Sequence, residues 1–249
     1  MTKMPTPKLT ENEIVDYLRK TTLPTILVEG EDDAQIYRWI ESKLGIFTAN
    51  VLFCSGRKAL LSIYRRKSEY SSAKVAWLAD LDMWLFSASE SDLGDVIFTT
   101  GYSIENDLYA GSSIESLLDV DEDAAHKSLL HVVCRWFSYE VEEYLSGSGF
   151  VVDVHINKVI DYARMDISLQ YSAARGYKEP NADLVNDVYS QYALRLRGKN
   201  LMQAIVRFLS NSKRTAKYSY SGVLELCLKL FPENQYLERI CQLIKARLA

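Results

Sequence analysis

At 249 residues, 48% hydrophobic and 25% charged, the chain has the composition of a globular protein with enough apolar residues for a sizeable core. Its formal net charge of −4 excludes a global basic field for holding nucleic acid, so any such contact must use a local basic patch or metal ions. The cysteines Cys54, Cys134, Cys227 and Cys241 are scattered with no CxxC pair, which argues against a disulfide framework or a zinc site and for reduced thiols. No signal-peptide pattern is visible and no apolar run approaches the ~20 residues of a membrane span, so a cytoplasmic location is expected.

In chain order, residues 1–9 read as a polar arm. Thr10 and Glu13 have capping-box spacing, which predicts a helix over 11–20. Pro24 separates it from a strand at 25–29. Asp32 is a candidate cap for the next helix, which carries Ile36, Tyr37, Ile40 and Leu44 at helical spacing and stops at Gly45. A second strand over 50–54 leads through Ser55-Gly56-Arg57-Lys58 into a helix with Leu60, Ile63 and Tyr64 on one face. Strands over 74–79 and 95–99 follow, and Ser103 then caps a short helix. Strand and helix alternate, the pattern of right-handed crossovers and a parallel sheet.

After about residue 112 the pattern becomes helical. Residues 121–145 form a long helix with a broad apolar face, broken at Gly147-Ser148-Gly149. A short strand is expected at 150–156, a helix at 157–163 and a polar loop or weak helix at 168–181. Helices are expected at 182–196, 199–210, 222–230 and 235–247. The expected division is an arm and helix over 1–22, an α/β core over 23–118 and a helical region over 119–249 packing on the core.

Three acidic clusters stand out. Glu29 closes the first strand and is followed by Gly30, with Asp33 four residues beyond Glu29, one helical turn on if the helix starts there. Asp80 and Asp82 follow the third strand; in an extended segment they point the same way, with roughly 7 Å between Cα atoms. Glu105 and Asp107 lie on the short helix after the fourth strand. The carboxyl ends of strands in an open α/β sheet are where chemistry is usually placed. Carboxylates gathered there repel one another, and a hard divalent cation, Mg²⁺ or Mn²⁺, relieves that cost.

Val28-Glu29-Gly30, Asp33, Tyr37, Asp80-Leu81-Asp82, Tyr102-Ser103-Ile104-Glu105-Asn106 and Gly198-Lys199 together resemble the Toprim domain of OLD-class nucleases. More narrowly, they are similar to the compact OLD-like Toprim family that includes AriB, the effector nuclease of the PARIS anti-phage system. The resemblance spans roughly residues 23–210. It implies a Toprim-like α/β fold with a mainly helical C-terminal half. It implies metal ligation by Glu29, Asp33, Asp80, Asp82 and Glu105. Glu29, Asp80, Asp82 and Lys199 would be catalytic, with Lys199 offsetting charge on the phosphate and Glu29 alternatively serving as general acid or base. It further implies a toxic endonuclease cleaving RNA such as tRNA, held silent by a separately encoded ABC-type ATPase (AriA-like) and homodimeric when active.

Plainer roles stand beside these. Glu29 suits a surface helix cap, Asp80 and Asp82 a solvated loop, and Asp33 and Glu105 a helix dipole. Glu31, Asp32 and Asp107 read as surface acids. Lys199 also fits an exposed helix start; GxxxxGK[ST] is absent, so no P-loop and no nucleotide hydrolysis by this chain are expected. Gly56 and Arg57 form either a phosphate-meeting turn or a simple one. Lys213, Arg214 and Lys217, interleaved with Tyr218 and Tyr220, suit either nucleic-acid contact or an exposed loop. His126, His131 and His155 lack metal-ligand spacing. At the level of function, the alternatives are a catalytically silent Toprim-like binding or regulatory subunit and an OLD-type DNA nuclease.

Overall fold

A computed structural model describes residues 9–45, 49–88 and 90–249. The expected arm over 1–9 lies almost wholly outside them. In chain order the elements are α1 (Glu11–Lys20), β1 (Thr25–Val28), α2 (Ala34–Lys43), β2 (Asn50–Phe53), α3 (Arg57–Arg65), β3 (Val75–Ala79), β4 (Val96–Phe98), α4 (Ile104–Ala110) and α5 (Val120–Leu145). They continue with α6 (Ile156–Val159), β5 (Ile160–Asp161), β6 (Asp166–Ile167), α7 (Leu169–Arg175), α8 (Ala182–Ser190) and α9 (Tyr192–Arg195). The chain ends in α10 (Gly198–Leu209), α11 (Tyr220–Leu230) and α12 (Gln235–Leu248).

Two compact units form. Unit one comprises residues 1–80, 90–99 and 235–249; unit two comprises 81–89 and 100–234. This grouping differs from boundaries after residues 22 and 118: α12 joins the sheet's unit, and α4 joins the helical one.

Unit one is an α/β layer around a four-stranded sheet of order β2-β1-β3-β4, every pair parallel. β1 and β3 are buried along their whole length, as central strands covered on both faces must be. Their residues are therefore apolar or, like Thr25, small. α1 begins where Thr10 and Glu13 exchange the two bonds of a capping box, and it buries Ile14, Val15 and Leu18. α2 starts one residue later than expected: Asp33, not Asp32, holds the N-cap position. Gly45 adopts the left-handed φ of 66° just past the helix end. Arg239 of α12 donates to the Phe98 carbonyl at 3.1 Å, and Arg247 reaches Asp95 at 2.8 Å, which blunts the outer edge of β4.

Unit two is helical. α5 buries Trp136, Phe137, Leu129, Val133 and Val141. It also buries Glu140 completely. That charge is met by both arms of Arg175, at 3.0 and 2.9 Å, and by the Tyr171 hydroxyl and the Val151 amide. A buried carboxylate requires such a set of partners. Several expectations fail here. Residues 150–155 form no strand; the only strands in this unit among the described residues are the short antiparallel pair β5 and β6. The helix expected over 157–163 is a single turn, α6, that runs straight into β5. The stretch 168–181 agrees with its expectation: a short helix, α7, which Ser168 caps by accepting from the Tyr171 amide, is followed by a loop. The helix expected over 182–196 is interrupted at Gln191. Among the described residues no helix is long and apolar enough to cross a membrane.

Candidate active site

In unit one, β1 and β3 pair in register with Val28 beside Leu78. Their carboxyl ends therefore lie side by side, at the point where the strand order 2-1-3-4 reverses direction. Such a switch point is where open α/β sheets place their ligands. Glu29 is the first residue beyond β1 and Asp80 the first beyond β3. The Glu29 carboxylate, its side chain 18% exposed, accepts the Asp80 amide N–H at 2.9 Å. Arg57, the first residue of α3, places Nε 3.4 Å from the same oxygen and donates from Nη2 to the Asp80 carbonyl. It enters from the turn at Gly56, whose φ of 96° favours glycine and whose amide donates to the Glu29 carbonyl at 2.8 Å.

Asp33 is buried at the start of α2. Its carboxylate does not cap the helix, while its carbonyl accepts from Ile36 and Tyr37. Because the helix begins only at Ala34, Glu29 and Asp33 are not one helical turn apart. Burial, followed by the charge of Glu29, pushes the Cys54 thiol up to about 12.

Asp82 begins a 3-10 helix running to Phe86. The backbone from 80 to 82 is not extended: Leu81 is helical and Asp82 has a left-handed φ of 47°, so the two-residue spacing expected of a strand does not apply. The Asp82 amide donates to the Tyr102 carbonyl at 2.7 Å within unit two, which holds this strained conformation in place.

The Tyr102–Asn106 motif is buried throughout. Ser103 caps α4 in a box with Asn106. Asn106 also donates to the carbonyls of Ala193 and Leu196, both at 2.8 Å. That amide ties α4 to the segment leading into α10. A Cβ on Gly198 would lie 2.2 Å from Ser103 Oγ and 3.1 Å from Glu105 Cβ. Glycine is thus what lets the start of α10 close on the start of α4. Lys199 follows on the first turn of α10 and is half-buried. Glu105, only 2% exposed, accepts the Tyr220 hydroxyl at 3.1 Å.

Asp107 is not a surface acid. It is fully buried and accepts the amides of Thr100 and Gly101, closing the turn before α4. Glu31 and Asp32 are exposed. Of the basic stretch, Lys213 and Lys217 are exposed, but Arg214 is bound to Glu122 and to the Leu117 carbonyl, so it works as an internal brace rather than a presented cation. His126 is buried, its ring edge-on to Phe208.

Unit one thus brings Glu29 and Asp80 together, and unit two brings Glu105 and the Gly198-Lys199 helix start together. The bridging by Arg57 and the bond from Tyr220 to Glu105, residues 115 apart, carry no local sequence signal. The donors match a hard divalent ion in kind, since all are carboxylates. They form no ready cage: among the described residues, no three His, Cys, Asp or Glu are grouped to hold an ion. Mg²⁺ is commonly held by one or two carboxylates, completed by water and substrate phosphate. No family model matches the chain, and no curated protein matches it.

Proposed function

We propose that the chain is a metal-dependent nuclease of Toprim type, cleaving RNA such as tRNA as the toxic effector of an anti-phage system, and held silent by a separate ABC-type ATPase. The observation that carries the reading is the apposition of Glu29 and Asp80 at the β1/β3 switch point, 2.9 Å from carboxylate to amide. The residue resemblance supplies the reaction class and the partner.

Glu29, Asp33 and Asp80 are the carboxylates that unit one offers to Mg²⁺ or Mn²⁺, which when bound would activate a water and offset charge on the phosphate. Arg57, with Nε 3.4 Å from the Glu29 carboxylate, holds that side chain oriented toward the end of β3. Asp82, Glu105 and Lys199 belong to unit two and enter the proposal through the resemblance. Lys199 is the cation expected to meet the phosphate.

A second reading, a catalytically silent subunit, is favoured by one observation: Glu29 already has the Asp80 amide and Arg57 as partners, and no three-ligand group exists among the described residues. Purified protein with Mg²⁺ against total RNA and plasmid DNA separates the two. The nuclease reading expects RNA fragments, lost in Glu29→Ala and Asp80→Ala, with Asp82→Ala, Glu105→Ala and Lys199→Ala each slowing the reaction at least about tenfold. Equal activity in wild type and Glu29→Ala removes the site. Metal-dependent stabilisation without cleavage supports the silent subunit.

A further inference from the structure

Unit two contains a cavity of about 410 Å³ lined by His155, Asn157, Gln203, Arg207, Ser210 and Tyr220, with Val206 in its wall. That is within the range of small-ligand sites, about 300–1,000 Å³. Among the described residues no carboxylate lines it, in a chain with 33 Asp and Glu against 29 Lys and Arg. Its polar groups are set up as donors. His155 Nδ1 accepts the Asn157 amide at 3.1 Å, so Nε2 is the ring nitrogen left to donate. Gln203 Oε1 accepts from the Ile156 amide at 3.0 Å, which directs its amide nitrogen to act as the donor. The Arg207 guanidinium lies 3.4 Å from the centroid of the Tyr162 ring, and no carboxylate among the described residues pairs with it. Tyr162 is fixed in turn, its hydroxyl donating to Asn157 Oδ1 at 2.6 Å.

A planar cation held over a ring, beside two further donors and without an acid, matches a phosphate oxygen and not a metal or a cationic ligand. One wall connects to the motif. Tyr220 lines the cavity and also donates to Glu105.

We propose that this cavity binds one nucleotide of the strand, its phosphate on Arg207 with His155 and Gln203, and its sugar and base along Tyr220 and Asn157. The inference rests on the nuclease reading for the identity of the strand. Occupancy would set the chain of the nucleic acid next to Glu105, and it would supply the local positive contact that the net charge of −4 denies the protein as a whole.

The test is titration calorimetry of the full chain in EDTA, so that neither metal nor cleavage is required. The probes are uridine 5′-monophosphate, uridine and inorganic phosphate. The variants are Arg207→Ala, Arg207→Gln, which keeps a stem over Tyr162, Glu29→Ala, and Arg195→Ala, a cation already paired with Asp187 and outside the cavity. The nucleotide is expected to bind wild type, Glu29→Ala and Arg195→Ala alike. Both Arg207 variants should weaken it at least about tenfold, with melting curves unchanged. Nucleotide binding that is absent at millimolar concentration, or indifferent to Arg207, overturns the proposal even if RNA is cleaved in a Glu29-dependent way. Uridine or inorganic phosphate binding as tightly as the nucleotide overturns it too. Binding as expected with no cleavage under any condition leaves the cavity assigned and sinks the nuclease reading alone.

Discussion

Gly198→Ala sets two effects of opposite sign against each other. Helix propensity alone favours alanine by up to about 1 kcal/mol, the value for a helix interior, and Gly198 does not occupy the left-handed region. Packing opposes the change. The added Cβ would stand 2.2 Å from Ser103 Oγ, 2.8 Å from Asn106 Oδ1 and 3.1 Å from Glu105 Cβ. Ser103 can rotate away only by giving up the 2.9 Å bond its hydroxyl donates to Asn106 Oδ1, a hydrogen bond worth about 1 kcal/mol. Asn106 is anchored on two carbonyls, and Glu105 Cβ is fixed to the α4 backbone, so neither yields cheaply. Overpacking of this kind costs about 1–3 kcal/mol. Packing outweighs propensity, and the variant should lose about 1–3 kcal/mol in urea unfolding followed by circular dichroism. Gly94→Ala, whose new Cβ meets nothing within 4 Å, is the control and should change little. A Gly198→Ala protein as stable as wild type would refute the close approach of α10 to α4, and with it the account of why this lysine is preceded by glycine.

Other outcomes follow from the same structure. Arg175→Met strands the fully buried Glu140 and should cost about 3 kcal/mol in the same assay. Lys229→Met, which removes the exposed pair with Glu225, should cost less than about 0.5 kcal/mol; equal losses would contradict the distinction. Burial holds His126 below its ordinary 6.5, and neither ring nitrogen has a hydrogen-bond partner among the described residues. The unfolded chain takes up that proton more readily, so the stability it contributes is present above pH 6.5 and is lost as the pH falls through the folded value. Wild type should therefore lose more stability than His126→Phe between about pH 7.5 and about pH 5, and parallel slopes would contradict this. Gly30 has no neighbour within 4 Å of a built Cβ and no left-handed φ, so Gly30→Ala should leave stability within about 0.5 kcal/mol. If a strand passes over that turn, the same variant should cleave RNA at least about tenfold more slowly; unchanged cleavage would remove the turn from the substrate path.

The parallel sheet was legible because its signals are local. Apolar runs such as 25–28 and 75–79 end in acids, and the helices that precede and follow the sheet, α1 and α4, carry Thr10 and Ser103 as caps. The position of Glu29 and Asp80 at neighbouring strand ends followed from the same pattern. What depended on partners far along the chain was not legible. Asp107 resembles any first-turn acid until the amides of Thr100 and Gly101 are seen to fold back onto it. Arg214 resembles a presented cation until Glu122 is found beside it. The backbone at Asp82 defied the extended reading because its amide is pinned to the Tyr102 carbonyl, a contact with no local signature. The grouping of α12 with the sheet likewise depends on what its buried face of Leu237, Ile240, Ile244 and Leu248 packs against, β3, β4 and α2, which periodicity does not encode.

The central claim is that the carboxylates at the ends of β1 and β3 hold a divalent ion. It is tested most directly by soaking crystals in Mn²⁺ and locating the ion by its anomalous signal, in wild type and in Glu29→Ala. The account predicts a peak in direct contact with the carboxylates of Glu29 and Asp80 that disappears in the variant. No peak there at saturating Mn²⁺, or a peak indifferent to the loss of Glu29, would contradict it.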